Sequence, residues 1–339
     1  MMDDNERNEM VLEYQRCAAA NNHIITVFLL SSNREKYIGY AIESILRQTF
    51  SQFCLVILDN YSKDSTDEIV KQFDDDRLFF IKKESPLPGS NFQYAFTICS
   101  TKFMTVFHDD DIIDEEYLSM MLKKMQHDNK IVLLSPSAYI INAEGIITGK
   151  PRNYSGQYKY DSYFKHFFMR TSEMASPWFP ANMYRTSFYK KELFIGYDDV
   201  GPAQDQYIVM QSERYNGVVE VISDRLIKYR VHNNQGSSWF CGCMEMQLLK
   251  FLFKDEYYRA KVIKYKRYLN KYIVSAYKGI VLNYVNNGNK SIKTHLRMEK
   301  ELFSIADFKA RMMMHICNIS YYFFDLTIVP LSWLLRLKR

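Results

Sequence analysis

Ile25–Thr66 reads ITVFLLSSNREKYIGYAIESILRQTFSQFCLVILDNYSKDST. Ile24–Leu30 and Phe53–Leu58 are short apolar runs, the mark of buried strands. Each ends in a polar turn, Ser31-Ser32-Asn33-Arg34 after the first and Asp59-Asn60-Tyr61-Ser62 after the second. Between them, Glu35–Arg47 sets Ile38, Ile42, Ile45 and Leu46 on one face of a helix. A Ser/Asp-rich turn then predicts a helix over Asp64–Phe73. Working outward, the pattern predicts strands over Leu78–Ile81, Phe103–Phe107 and Ile131–Leu134, and helices over Asn91–Cys99 and Asp114–His127, with a loop at Pro86–Ser90. Strands and helices alternating at this spacing imply an α/β fold, a mostly parallel sheet flanked by helices. In such sheets ligands bind beyond the carboxyl ends of the strands.

Further along, Ala138–Thr148 reads as a hairpin, Gln157–Arg170 and Ala203–Tyr215 as helices, and Ala181–Phe188, Val218–Ile222 and Leu226–Val231 as strands. From Met244 the pattern is helical, after a linker near 236–243. The predicted organisation is an N-terminal helical extension (1–21), an α/β domain (22–240) and a basic helical C-terminal region (241–339). The apolar fraction of 47% and charged fraction of 24% exclude global disorder. No GxxxxGK[ST] or GxGxxG run is present, which excludes those phosphate cradles. The six cysteines form no CxxC pair and read as free thiols rather than a zinc site or a disulfide framework. The charged N-terminus predicts no secretory signal.

The third polar strand end is His108-Asp109-Asp110-Asp111. Three adjacent carboxylates repel one another unless a cation lies among them. Carboxylate oxygens suit Mg²⁺ or Mn²⁺, which commonly also take substrate phosphates. A solvated turn capping the helix near Asp114 is the structural alternative.

Taken together, Ser31–Asn33, the S-x-L-x-Q-T run of Ser44–Thr49 and the D-[DN]-x-S-x-D-x-T run of Asp59–Thr66 resemble the opening of family 2 (GT-A fold) glycosyltransferases. GSNFQYAFTICSTKFMTVFHDDDII, from Gly89 to Ile113, is similar to that family's G-x-x-x-A-x-N helix and its aspartate-rich DXD-type motif. The resemblance spans roughly residues 22–235. It implies a metal-dependent enzyme that moves a sugar from a nucleotide-sugar, a UDP-sugar by expectation, to an acceptor hydroxyl with inversion. Ser31, Asn33, Asp59, Asn60 and Asp109 are then expected to hold the nucleotide-sugar, with Gly89 and Asn91 as weaker donor contacts. Asp110 is the expected principal ligand of Mn²⁺ or Mg²⁺, supported by Asp111. Asp205, at a helix start, is the expected base, and the helix dipole there favours the ionised form. Lys228–His232 resembles the family's Y-R-x-H signature, with His232 completing the metal site and Arg230 holding a phosphate or positioning the loop. Trp178 is a candidate sugar platform or a core residue. Leu30 and Ser32 depart from the usual Pro and Tyr of the first turn, and Asn60 stands where a second Asp is common.

Charge divides along the chain. Residues 244–339 hold 18 Lys/Arg against 7 Asp/Glu, while the remainder holds 26 against 32. A basic tail with an apolar end, ISYYFFDLTIVPLSWLLRLKR, predicts contact with an anionic membrane surface, or packing on protein or on a second copy of the chain. The expected setting is bacterial surface-polysaccharide assembly at the cytoplasmic face of the plasma membrane, with a glycan or lipid-linked acceptor. Nucleic-acid binding has no recognisable module to support it. Competing readings are a related nucleotidyltransferase, which lacks a Gly-rich activating loop here, and a non-catalytic scaffold, which needs none of Asp59, Asp110, Asp205 and His232 together.

Overall fold

The computed structural model describes residues 4–83, 91–148, 155–158, 163, 180–189, 200, 203–232, 247–265, 268, 273 and 311. The chain divides into two units, residues 1–163, 172–196 and 208–233 in the first, and 164–171, 197–207 and 234–339 in the second.

The first unit opens with helix α1 (Asp4–Ala20) and then alternates β1 (Ile25–Ser31), α2 (Ile38–Leu46), β2 (Phe53–Asp59), α3 (Thr66–Val70), β3 (Leu78–Lys82), α4 (Asn91–Ile98) and β4 (Phe103–His108). After β4 come β5 (Ile112–Ile113), α5 (Tyr117–His127), β6 (Ile131–Ile141), β7 (Gly156–Tyr158), β8 (Met183–Arg185), α6 (Gln204–Arg214), which belongs to this unit from Ile208 on, and β9 (Val218–Arg230). The sheet order is β3-β2-β1-β4-β8-β6-β9-β5, with β7 beside β9. Strands β3, β2, β1 and β4 run parallel. Beyond β4 the sheet is mixed: β8 is antiparallel to both β4 and β6, and β6 is parallel to β9. The α/β sheet flanked by helices therefore stands, with four consecutive parallel strands, β3-β2-β1-β4, and one further parallel pair, β6 and β9.

Alternation along β1 explains the two layers. Ile25, Val27 and Leu29 join one apolar cluster with Ile38, Ala41, Ile42 and Ile45 of α2 and Tyr117, Leu118 and Met121 of α5. Thr26 and Phe28 face the other way, where Tyr14 of α1 bonds to Thr26 Oγ1 at 2.9 Å and packs edge-on to Phe28. Both sheet faces are thus covered, as the unbroken apolar runs of β1 and β2 require.

Several elements differ from expectation. The run over Val218–Val231 is one strand rather than two, because β9 continues through the exposed Ser223 and Asp224 with irregular pairing to β6. Pro136 in β6 donates no ladder hydrogen bond, and Ser137 Oγ bonds Ile222 O at 2.8 Å beside it. The expected hairpin over Ala138–Thr148 is present: the end of β6 turns at Asn142–Gly145 and returns antiparallel, with the Ile141–Ile147 bridge and Thr148 N bonded to Ile140 O at 2.7 Å. Gln157 and Tyr158 lie in β7, where sheet pairing with β9 overrides the expected helix start. Trp178 and the 236–243 linker lie outside the described residues.

In the second unit, residues 247–254 are helical and α7 spans Glu256–Lys264, capped by Asp255, whose side chain accepts from Tyr258 N. Leu248, Leu249, Leu252, Tyr258 and Val262 are buried there, and Tyr207 packs against Phe251 and Tyr258. The helical start of the basic region is therefore an aromatic packing element as well as a charged one. Among the described residues, no helix is long and apolar enough to cross a membrane.

Candidate active site

The turns after β1 and β2 are locked together by the motif that marks them. Alternate side chains of Ser62-Lys63-Asp64-Ser65-Thr66 accept the backbone N–H groups of the first turn: Ser62 Oγ from Asn33 at 2.7 Å, Thr66 Oγ1 from Arg34 at 3.1 Å, and Asp64 Oδ2 from Glu35 at 3.0 Å. The first turn answers in kind, with Asn33 Oδ1 accepting from Lys63 N and Glu35 Oε2 from Ser65 N. Asp59, fully buried, accepts from both the backbone N–H and the hydroxyl of Ser62. Asn33 and Tyr61 take left-handed backbone conformations, φ 53° and 64°. For a bulky tyrosine that is strained, a condition that clusters at functional sites. Asn60 N bonds Ser31 O, and its side chain is exposed beyond the strand ends. Asn91 Nδ2 donates to Leu58 O at 2.8 Å, leaving its buried Oδ1 without a partner. Gly89 lies outside the described residues.

The acidic triplet forms the link between β4 and β5 and is buried, with 3–6% of each residue's surface exposed. Ser32 N donates to Asp109 Oδ2 at 3.0 Å, and Arg34 Nε lies 3.4 Å from Asp109 Oδ1. Even so, burial and then the charge of Asp110 push the Asp109 carboxyl up to about 7. Asp111 is raised well above the usual carboxylate range by the same two causes. Its Oδ1 accepts from Arg230 N at 2.8 Å, while its buried Oδ2 has no hydrogen-bond partner. The strand end thus brings together more negative charge than its protein donors neutralise.

His232 Nε2 lies 2.8 Å from Asp110 Oδ2. In this geometry His232 pairs with the carboxylate expected to be the principal metal ligand. His108, immediately before the triplet, is the imidazole whose nitrogen joins one oxygen each of Asp110 and Asp111 within 4.8 Å of one another. Removal from water, the larger effect, holds His108 below its ordinary pKa, as a neutral ligand requires. Two carboxylates and an imidazole, with an unpartnered buried oxygen among them, fit a divalent ion such as Mn²⁺ or Mg²⁺. The position of His108 at the end of an apolar strand was the available signal for including it.

Arg230 turns its donors to backbone carbonyls: Nε to Asp110 O at 2.7 Å, and Nη1 to Asn142 O and Ala143 O. Its guanidinium stacks over Tyr37, 4.8 Å from the ring centre. Of the two roles expected for it, this geometry serves positioning of the acidic turn. Gln48 and Thr49 of the S-x-L-x-Q-T run also act on the segment after the triplet. Gln48 bonds Asp114 O and Leu118 N, and Thr49 N bonds Glu115 O.

Asp205 sits in the first turn of α6, in the second unit, with Oδ1 buried and unpartnered. Burial pushes its carboxyl up to about 6, against opposing hydrogen bonds from the backbone N–H of Gln206 and its own. Loss of water here outweighs the helix dipole that was expected to keep it ionised. A carboxyl at about 6 is still a competent base at neutral pH.

Residues 26–193 match the family profile described as glycosyl transferase family 2. An uncharacterised glycosyltransferase of Methanocaldococcus jannaschii is 29% identical over 218 residues, 62% of this chain and 71% of that protein. Escherichia coli WfgD, named as a UDP-Glc:alpha-D-GlcNAc-diphosphoundecaprenol beta-1,3-glucosyltransferase, is 27% identical over 128 residues, 38% of this chain and half of its own. Among solved structures, S. aureus TarS 1-349 in complex with UDP-GlcNAc superposes with a TM-score of 0.61 at 16% identity, covering 88% of this chain and 91% of that one, which speaks for the fold alone. Residues 26–193 are therefore a glycosyl transferase family 2 domain, on the α/β fold shared with TarS.

Proposed function

We propose that the chain transfers a sugar from a UDP-sugar to a hydroxyl of a glycan or lipid-linked acceptor, with inversion, in assembly of a bacterial surface polysaccharide. The observation that carries the metal-assisted part is the buried Asp109–Asp111 turn, whose Asp111 Oδ2 has no protein partner and whose excess charge calls for a cation. UDP as the nucleotide is supported by the TarS complex and by the donor in the name of WfgD. The lipid-linked acceptor is supported by the acceptor in that same name.

In this reading Asp110, Asp111 and His108 hold Mn²⁺ or Mg²⁺. When bound, the ion neutralises the diphosphate leaving group. His232 holds Asp110 in position, and Arg230 fixes the turn through its carbonyls. Asp59 and Asn60 are assigned to reading the base and ribose, Ser31, Asn33 and Asn91 to further contacts with the nucleotide-sugar, and Asp109 to the ribose or phosphates, assignments that rest on their motifs. Asp205 takes the proton of the acceptor hydroxyl, an assignment that rests on its motif and its own protonation. The basic C-terminal region brings the domain to an anionic membrane surface.

The test is a panel of nucleotide-sugars assayed for transfer and hydrolysis with and without Mn²⁺, in the native chain and in Asp110→Asn. Turnover of one donor, dependent on Mn²⁺ and lost in the variant, is the expected result. Turnover unaffected by metal removal and by Asp110→Asn rejects the metal assignment, and no turnover of any donor rejects the enzymatic one.

A further inference from the structure

A second cluster of metal-ligating side chains lies at the opposite end of the sheet. Cys17 is in the last turn of α1, His23 follows the turn that leaves it, and Cys54 is the second residue of β2. Asn22, at φ 51°, reverses the chain after α1, and His23 N bonds back to Ala18 O at 2.9 Å. That reversal carries the imidazole over the helix end. His23 Nδ1 then lies 2.9 Å from Cys54 Sγ, and one ligand atom from each of Cys17, His23 and Cys54 falls within 4.8 Å of the others. Cys54 pairs with Thr26 at the amino end of the strands, whereas Asp59 pairs with Ser31 at the carboxyl end. Five residues of strand separate them, about 17 Å, so this cluster is distinct from the acidic turn.

We propose that Cys17, His23 and Cys54 form a binding site for a thiophilic divalent cation, Zn²⁺ in the first instance. Two sulfurs and one imidazole nitrogen are the donor set that selects such ions over Mg²⁺ and Mn²⁺. Around a tetrahedral zinc, bonds of about 2.3 Å to sulfur and 2.0 Å to nitrogen place the ligand atoms about 3.5–3.8 Å apart. The His23–Cys54 separation of 2.9 Å is shorter than that and the others are at most 4.8 Å, so shifts of about 1.3 Å or less assemble the site. The short His23–Cys54 contact is a thiol–imidazole hydrogen bond, and the cation takes the place of the bridging proton. On binding, the two thiols release their protons to solvent, two thiolates and a neutral imidazole ligate, and water fills the fourth position. Cys54 is buried, whereas Cys17 and His23 are partly exposed, so the ion has an open approach. Once filled, the site clamps the end of α1 to the start of β2.

The experiment titrates Co²⁺ into the reduced full-length chain and follows the thiolate-to-cobalt charge-transfer absorption, with Zn²⁺ as competitor. The expected result is such a band saturating at one equivalent and displaced by Zn²⁺, with Cys17→Ser and His23→Ala each weakening binding at least tenfold. These two residues are partly exposed, so the variants read out binding even if Cys54→Ser does not fold. Cys241→Ser/Cys243→Ser leaves the band in place. The proposal is overturned by the absence of a thiolate band, by a band that survives Cys17→Ser, or by one that disappears with Cys241→Ser/Cys243→Ser. It is equally overturned if the reduced chain gives no band while mild oxidation removes two titratable thiols in a Cys17-dependent way, which makes the pair a disulfide.

Discussion

Replacing Asp110 by Asn in the metal-free protein should raise stability at alkaline pH while abolishing its stabilisation by metal and nucleotide. Asp110 is the second cause, after burial, of the raised Asp109 and Asp111 carboxyls. A rise from the ordinary 3.8 to about 7 at Asp109 favours the protonated form by roughly 4 kcal/mol. Because the folded-state value is the higher one, that stability is complete below about pH 4 and is lost as pH climbs through 7. A charge pair about 5 Å apart at an effective dielectric near 20 repels by up to about 3 kcal/mol, so removing Asp110's charge should restore roughly 1–2 kcal/mol at pH 8. For a domain of this size that is about 2–8 °C in Tm. The amide keeps an oxygen to pair with His232, so that contact at 2.8 Å survives. The assay is thermal unfolding of chelator-treated native and variant chains from pH 5 to 8.5, repeated with Mn²⁺ and UDP. The variant should gain over the native chain with rising pH and show no advantage at pH 5, where Asp109 is protonated. A variant less stable than the native chain at pH 8 without metal would refute the electrostatic reasoning.

Other consequences are equally direct. A Cβ on Gly217 would lie 2.5 Å from Val132 Cγ2 and 2.9 Å from Phe188 Cζ, so Gly217→Ala should cost about 1–3 kcal/mol in denaturant unfolding; an unchanged midpoint contradicts the packing. Ser62→Ala removes the hydroxyl that bonds Asn33 N and Asp59, and steady-state kinetics should show KM for the nucleotide-sugar rising several-fold with kcat less affected. With Asp205 raised to about 6 and acting as base, transfer should fall off below about pH 6, and Asp205→Asn should lose activity by at least a hundredfold across the range. A pH–rate profile of the variant that keeps the acid limb at native activity removes the assignment.

Much of the fold was legible in the chain because its signals are local. The apolar runs at Ile25–Leu29 and Phe53–Leu58 are buried on both faces, and the Ile38-Ile42-Ile45 stripe faces the sheet, as their periodicity says. Ser62, Asp64 and Thr66 could be recognised as a motif, yet only the folded turns reveal that all three clamp the backbone around Asn33–Glu35. Gln48 was likewise visible as a motif residue, while its grip on Asp114 O and Leu118 N spans more than sixty positions. The single long β9 and the strand at Gln157–Tyr158 were not legible, because pairing with distant strands overrode local propensity.

By itself the sequence determined the strand–helix alternation, and so the end of the sheet where polar residues gather, since burial and periodicity are written residue by residue. The tertiary structure decided which side chains meet. It set His108 with Asp110 and Asp111, turned His232 onto Asp110, and aimed Arg230 at backbone carbonyls. It also drew Cys17, His23 and Cys54 together, cysteines whose spacing carries no metal signature. The reason is physical: a ligand set is defined by distances of a few ångströms, and those arise from strand register and chain reversal, which spacing along the chain does not encode.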